Sequence, residues 1–122
     1  MTTPSQPTGF KQYLPWIVAA IPALMTTGSA IAKLTGTPEV RDGLTASGFG
    51  AYIPLLAVTE LIIVALYLYP KTLAIGFFLA CSYFGGAIAV DIGHHGPFIA
   101  PMVILTLYWV ATYLRRPTLF LP

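Results

Sequence analysis

"PLLAVTELIIVALYLYP", residues 54–70, decides the fold. Apart from Thr59 and Glu60, every residue between its prolines is aliphatic or aromatic. With its upstream neighbours it forms an apolar segment from Ala51 to Tyr69, and about 20 residues suffice to cross the hydrocarbon core of a bilayer. Glu60 is the only acid in the segment, placed where a carboxylate loses most hydration.

The rest of the 122-residue chain agrees with this reading. Hydrophobic residues make up 57% and charged residues 8%, against roughly 25% charged in an ordinary soluble domain. The mean hydropathy is +0.79. Too few charges are available to cover a water-facing surface, so the composition points to an integral membrane protein of one domain. A net charge of +2, with no basic runs and no glycine-rich phosphate loop, gives no reason to expect nucleic acid as a partner. Cys81 is the only cysteine, so this chain alone carries no dithiol chemistry. A lone mid-span thiol reads as a small apolar residue.

Four apolar segments follow one another. Residues 1–12 read as a disordered cytoplasmic tail rich in Thr, Pro and Ser. The first span covers residues 13–34, with Pro15 in its first turn and a kink at Pro22. Lys11, the apolar stretch after it and "GSA" at 28–30 imitate a signal peptide. The stretch is long for a signal, so it is read as a retained helix. "TGTPEVRDGLTASGFG", residues 35–50, forms a loop with room for a short interfacial helix over 38–46. The second span covers 51–69, Pro70-Lys71 a tight turn, and the third span 72–90. "DIGHHGP", 91–97, is the next turn, and the fourth span covers 98–114 with Pro101 in its first turn. The fold class expected is all-α, a transmembrane up-down four-helix bundle over residues 13–116, with a short tail at 117–122. Small residues four apart (Gly28 with Ala32, Ser82 with Gly86, Gly85 with Ala89) are expected to give close helix contact.

An even number of spans puts both termini on one side, together with Lys11, Lys71, Arg115 and Arg116. Lys33 and Arg41 on the other side are offset by Glu39, Asp42 and Asp91. The positive-inside rule then places both termini in the cytoplasm. Tyr13, Trp16, Tyr52, Tyr67, Tyr69, Tyr108, Trp109 and Tyr113 lie near span ends, as an aromatic belt requires.

The buried polar candidates are Lys33, Glu60, Asp91, His94 and His95. Glu60 lies about 13 Å along its span at 1.5 Å per residue, where an acid is costly and should face the bundle interior. It reads either as a proton-relay or substrate-anchoring carboxylate, or as a polar pin between helices. Lys33, at the end of span one, either reaches inward to Glu60 or snorkels to the head groups. Asp91 and His95 would share a face if the helix continued so far, but Gly93 and Gly96 favour a wet turn over a metal site or a switch titrating at about pH 6–7. All five belong to one half of the membrane and are expected to converge on an outward-facing polar pocket. Met25, Phe77, Phe78, Tyr83 and Phe84 are positions where a quinone ring or lipid could sit, or ordinary core. No haem or iron–sulfur ligation is visible, and four short spans without inverted repeats leave little room for alternating access.

"GSAIAKL" at 28–34, "PLLAVTELIIVALYLYP" at 54–70 and "YFGGAIAVDI" at 83–92 together resemble the DoxX-like family of small bacterial four-helix membrane proteins. The resemblance covers about residues 24–116 and rests on Gly28, Lys33, Glu60, the Pro70 turn and Gly85-Gly86. It implies a multi-pass bundle in the bacterial inner membrane. It also implies a link to redox complexes and oxidative stress, with oxidoreductase subunits or further copies of the chain as partners. The function expected is a non-catalytic subunit that binds a lipophilic small molecule or a partner protein through the polar pocket. The alternative is a membrane subunit of a quinone-linked oxidoreductase, with quinone as ligand and Glu60 relaying protons. The expected site comprises Glu60 and Lys33, with Gly28, Gly85, Gly86, Asp91, His94 and His95 as binding residues. Similar bundles that reduce quinones use a cysteine pair, whereas Cys81 stands alone. Val90-Asp91 replaces the Thr-His pair frequent in relatives.

Overall fold

The computed structural model describes residues 10–121. Among them there is no strand, and five α-helices carry the fold: α1 (Phe10–Thr35), α2 (Pro38–Ala46), α3 (Ile53–Leu68), α4 (Leu73–Gly93) and α5 (Ile99–Arg115). Three are long and apolar enough to cross a membrane, in the segments Gln12–Thr35, Gly50–Leu68 and Pro70–Gly93; Ile99–Arg115 is apolar but shorter. Residues 1–9 of the expected tail lie outside the described residues. Residues 10–12 already belong to α1, so Pro15 falls inside the helix rather than in its first turn.

The four longer helices close a ring in which α1 packs on α3 and α5, and α4 packs on α3 and α5. Each buries one stripe. In α3 the stripe is Ala57, Glu60, Ile63 and Tyr67. In α4 it is Leu73, Gly76, Phe77, Ala80 and Phe84, and in α5 Ile104, Tyr108, Ala111 and Thr112. These recur at three- and four-residue intervals, as one face of a 3.6-residue helix must. The outward surface is as apolar as the interior: Leu24 is 71% and Phe78 61% exposed. A water-soluble monomer rarely shows so much contiguous apolar surface, whereas hydrocarbon demands it.

Close helix approach uses small residues other than those expected. A Cβ placed on Gly28, Gly85 or Gly86 would meet nothing within 4 Å. These glycines face outward, so the three small pairs read from the sequence do not form helix contacts. The contact falls on Gly76, where a Cβ would lie 2.5 Å from the backbone nitrogen of Tyr67. Buried alanines, including Ala19, Ala30, Ala57, Ala80 and Ala111, fill the remaining crossings.

Two aromatics leave the expected belt. Tyr67 and Tyr108 are fully buried, their rings edge to face at 4.8 Å. The Tyr67 hydroxyl pairs with Thr112 Oγ1 at 2.8 Å, and the Tyr108 hydroxyl with Thr26 Oγ1 at 2.7 Å. Thr26 Oγ1 also lies 2.7 Å from the carbonyl of Pro22, itself buried inside α1. Buried tyrosines find partners for their hydroxyls, and threonines of α5 and α1 supply them here. Tyr13, Trp16, Tyr52, Tyr69, Trp109 and Tyr113 remain about half exposed near the two ends.

The connections close the ends. Pro38 opens α2 at a position where its missing N–H is no loss, and none of α2 is buried. Gly36 and Gly48, with φ of 73° and 87°, make the turns on either side of it. At the opposite end, residues 117–119 form a 3-10 turn that returns Phe120 against Phe77, Trp109 and Tyr113. The C-terminal segment is therefore packed against the helices up to Phe120.

Candidate functional site

Glu60 is 1% exposed and points into the ring from the middle of α3. Lys33, in the last turns of α1, turns inward instead of snorkelling. Its Nζ lies 2.5 Å from Glu60 Oε1, with the two side chains 9% and 1% exposed. It is the one ion pair among the described residues. Two hydroxyls complete the cluster. Tyr83 Oη, from α4, donates to Glu60 Oε1 at 2.6 Å, and Ser29 Oγ donates to the same oxygen at 3.3 Å while accepting from Lys33 at 2.6 Å. Ser29 and Lys33 are four apart and share a face of α1, so the helix presents ammonium and hydroxyl together.

The arrangement is lopsided. Three donors converge on Oε1, while Glu60 Oε2 is buried without any hydrogen-bond partner. A buried polar atom with no partner costs roughly 1–3 kcal/mol. The carboxylate thus has one oxygen held by three donors and the other without a donor among the described residues.

Lys33 also forms part of the wall of a cleft of about 490 Å³ between α2 and the adjoining ends of α1 and α3. Gly36, Val40, Arg41, Thr45, Gly50, Ala51, Ile53 and Pro54 line the rest. Arg41 donates through Nη2 to the Gly36 carbonyl at 3.0 Å, which ties α2 to the end of α1. The two cations and Thr45 are the polar side chains of otherwise apolar walls.

The expected convergence of five residues is met by two. Asp91 belongs to the last turn of α4, which runs through Gly93 instead of stopping at residue 90. His95 departs from the helix with φ of 57°, so it does not share a helical face with Asp91. The group closes the helix: Gly96 N–H donates to the Asp91 carbonyl at 2.6 Å, and His94 Nδ1 lies 3.1 Å from the Val90 carbonyl. Both histidines are exposed and neither reaches Glu60. Gly28, Gly85 and Gly86 do not line the cleft. Among the described residues no group of three or more His, Cys, Asp or Glu could hold a metal ion. Cys81 is partly buried against the core.

Sequence reasoning missed Ser29 as a member and gave Tyr83 no role toward Glu60. The signal for Ser29 was present, because it stands four residues before Lys33 on the one helix that could meet Glu60. Comparisons with known proteins return no matching family model, and no curated protein or solved structure matches significantly.

Proposed function

We propose that the chain is a multi-pass membrane protein of four spans, α1, α3, α4 and α5, that binds a lipophilic small molecule in the cleft beside Lys33. Both termini face the cytoplasm of a bacterial cell, and α2 lies at the outer membrane surface. The observation carrying this reading is the double position of Lys33, which lines the cleft and is bonded to the buried Glu60. A ligand carbonyl or carboxylate on the cleft side would draw on the same ammonium that neutralises Glu60. The DoxX-like resemblance belongs to this proposal, with the protein as a non-catalytic binding subunit, partnered by oxidoreductase subunits or by copies of itself.

Native mass spectrometry of protein extracted in mild detergent tests it. The wild type should retain a non-protein mass that Arg41→Gln, on the exposed α2, weakens and Lys33→Met abolishes. Absence of any retained mass, or equal retention in all three proteins, rejects the proposal.

A second reading has a specific observation in its favour. Glu60 Oε2 is buried with no hydrogen-bond partner among the described residues, while Tyr83 donates to Oε1. In a quinone-linked subunit Glu60 would pass protons between the cleft and its bound quinone. Glu60→Gln keeps the shape but cannot titrate. If the variant folds and retains ligand but does not rescue a deletion strain, this reading holds. Full rescue rejects it.

A further inference from the structure

The end of the ring opposite α2 holds an arrangement of charge that the Lys33–Glu60 site does not use. Arg115, the last residue of α5, is half-buried, and its guanidinium lies 4.8 Å above the Trp16 ring and 5.1 Å from that of Tyr67. Among the described residues its hydrogen-bond partners are carbonyls only: Nη1 donates to Tyr67 O at 2.6 Å and Nη2 to Leu68 O at 3.2 Å. Arg116 donates through Nη2 to Pro70 O at 2.5 Å. These carbonyls belong to the end of α3 and the turn after it, where a helix welcomes cations. They bring no negative charge. The chain's four acids are Glu39, Asp42, Glu60 and Asp91. The first two lie on α2, Glu60 is paired with Lys33, and Asp91 is at the far end of α4. No acidic side chain therefore reaches this pair of arginines.

The pair also has donors to spare. An arginine carries five N–H groups, of which Arg115 commits two and Arg116 one to these carbonyls. Both line a cleft of about 240 Å³ with Gln12, Trp16, Pro70 and Leu73 among its other walls. That cleft is lined by two guanidinium groups with uncommitted N–H donors, an amide and an indole, together with apolar surface from Leu73 and Leu114. Phosphate is an anionic group that guanidinium forks fit well, because its oxygens accept two parallel N–H bonds.

We propose that the Arg115–Arg116 cleft is a binding site for a phosphate group, supplied by the headgroup of an anionic phospholipid in the leaflet at this end. Basic pockets between membrane helices select such lipids. Here the arginines would clamp the phosphate while the acyl chains descend along the apolar outer faces of α1 and α5. The site is independent of the cleft beside Lys33 and stands whether or not that cleft binds a lipophile.

The test uses full-length protein in nanodiscs of phosphatidylcholine with or without phosphatidylglycerol, released into native mass spectrometry. The wild type should hold one phosphatidylglycerol in preference to phosphatidylcholine. Arg116→Gln, which leaves Arg115 and its helix contacts in place, should lower that retention roughly tenfold or more. Lys71→Gln serves as the control, since Lys71 sits at the same end but outside the cleft; its retention should match the wild type. Millimolar inorganic phosphate distinguishes the sources. If it displaces the lipid and is itself retained, the site takes free phosphate and the lipid assignment falls. If the lipid persists, the headgroup is the ligand. Equal retention of the two lipids by the wild type, or an equal loss in Lys71→Gln and Arg116→Gln, overturns the proposal. The wild-type elution volume of Arg116→Gln on gel filtration establishes that its fold is intact.

Discussion

Lys33 and Glu60 each hold the other's charge in place, and the energetic consequence is measurable. Removing one partner of a buried pair leaves an uncompensated charge and costs roughly 3–5 kcal/mol, whereas removing both costs far less. Lys33→Met and Glu60→Gln should each lower thermal stability in detergent, and the double variant should be more stable than the sum of the singles requires. Additive losses in the double-mutant cycle would separate the two residues energetically. Tyr83 offers an independent probe from another helix. Tyr83→Phe removes one donor from Glu60 Oε1 and nothing else. It should cost about 1.5–3 kcal/mol, the value of a hydrogen bond to a charged group. The same substitution in a Glu60→Gln background should cost less, and an unchanged cost would mean that the tyrosine acts by packing alone. The inward direction of Glu60 was legible in the sequence because a charge inside an apolar run has few places to go, whereas Lys33 at a span end was left between pairing and snorkelling. Tyr83 was not, because a tyrosine suits the interior, the lipid surface and the interface equally, and only the rotation of α4 decides among them.

That rotation is the missing information at the scale of the helix. α3 and α4 are apolar nearly all round, so period alone does not tell the buried stripe from the lipid-facing one. Tyr67 and Tyr108 were assigned to a belt by their distance from the span ends, which says nothing about direction. The glycines suffered the same ambiguity: Gly85 and Gly86 look like packing residues and face open space, while Gly76 carries the contact of α4 with α3. A pair of substitutions separates them. Gly76→Ala would force a methyl against backbone atoms of Leu66 and Tyr67 that cannot rotate aside. It should cost about 1–3 kcal/mol as overpacking. Gly86→Ala meets nothing within 4 Å and removes a flexible residue from a helix. It should be neutral or stabilising by about 0.5–1 kcal/mol. Melting curves of the two variants in the same detergent decide the matter, and a Gly86→Ala protein as damaged as Gly76→Ala would misplace the α3–α4 contact. Helix boundaries fared better. Prolines and polar clusters punctuate the chain, and α2 fills residues 38–46, where the loop had room for a helix. Two boundaries ran on: α1 starts at Phe10, ahead of the expected residue 13, and α4 continues to Gly93, where His94 closes the helix.

Across the whole molecule, the four-span proposal makes a direct topological prediction. Reporters fused within α2 at residue 43 and at the C-terminus should report opposite sides of the membrane. Matching sides would exclude four crossings and, with them, the placement of both termini in the cytoplasm. The overall class was the most legible property, since a chain with so few charges has no other way to meet its surroundings than to bury its outside in lipid.

The separation of charge along the ring has an electrical consequence. Lys71, Arg115 and Arg116 stand at one end, while Glu39, Asp42 and Asp91, only partly offset by Arg41, stand at the other, so the folded chain is a permanent dipole aligned with its helices. In an energised membrane each elementary charge carried across the full voltage is worth about 2.3 kcal/mol per 100 mV. In the proposed orientation, with the arginine end on the negative side, a transmembrane voltage would help to hold the protein as it stands. Collapse of that voltage would relax this hold without breaking a single contact.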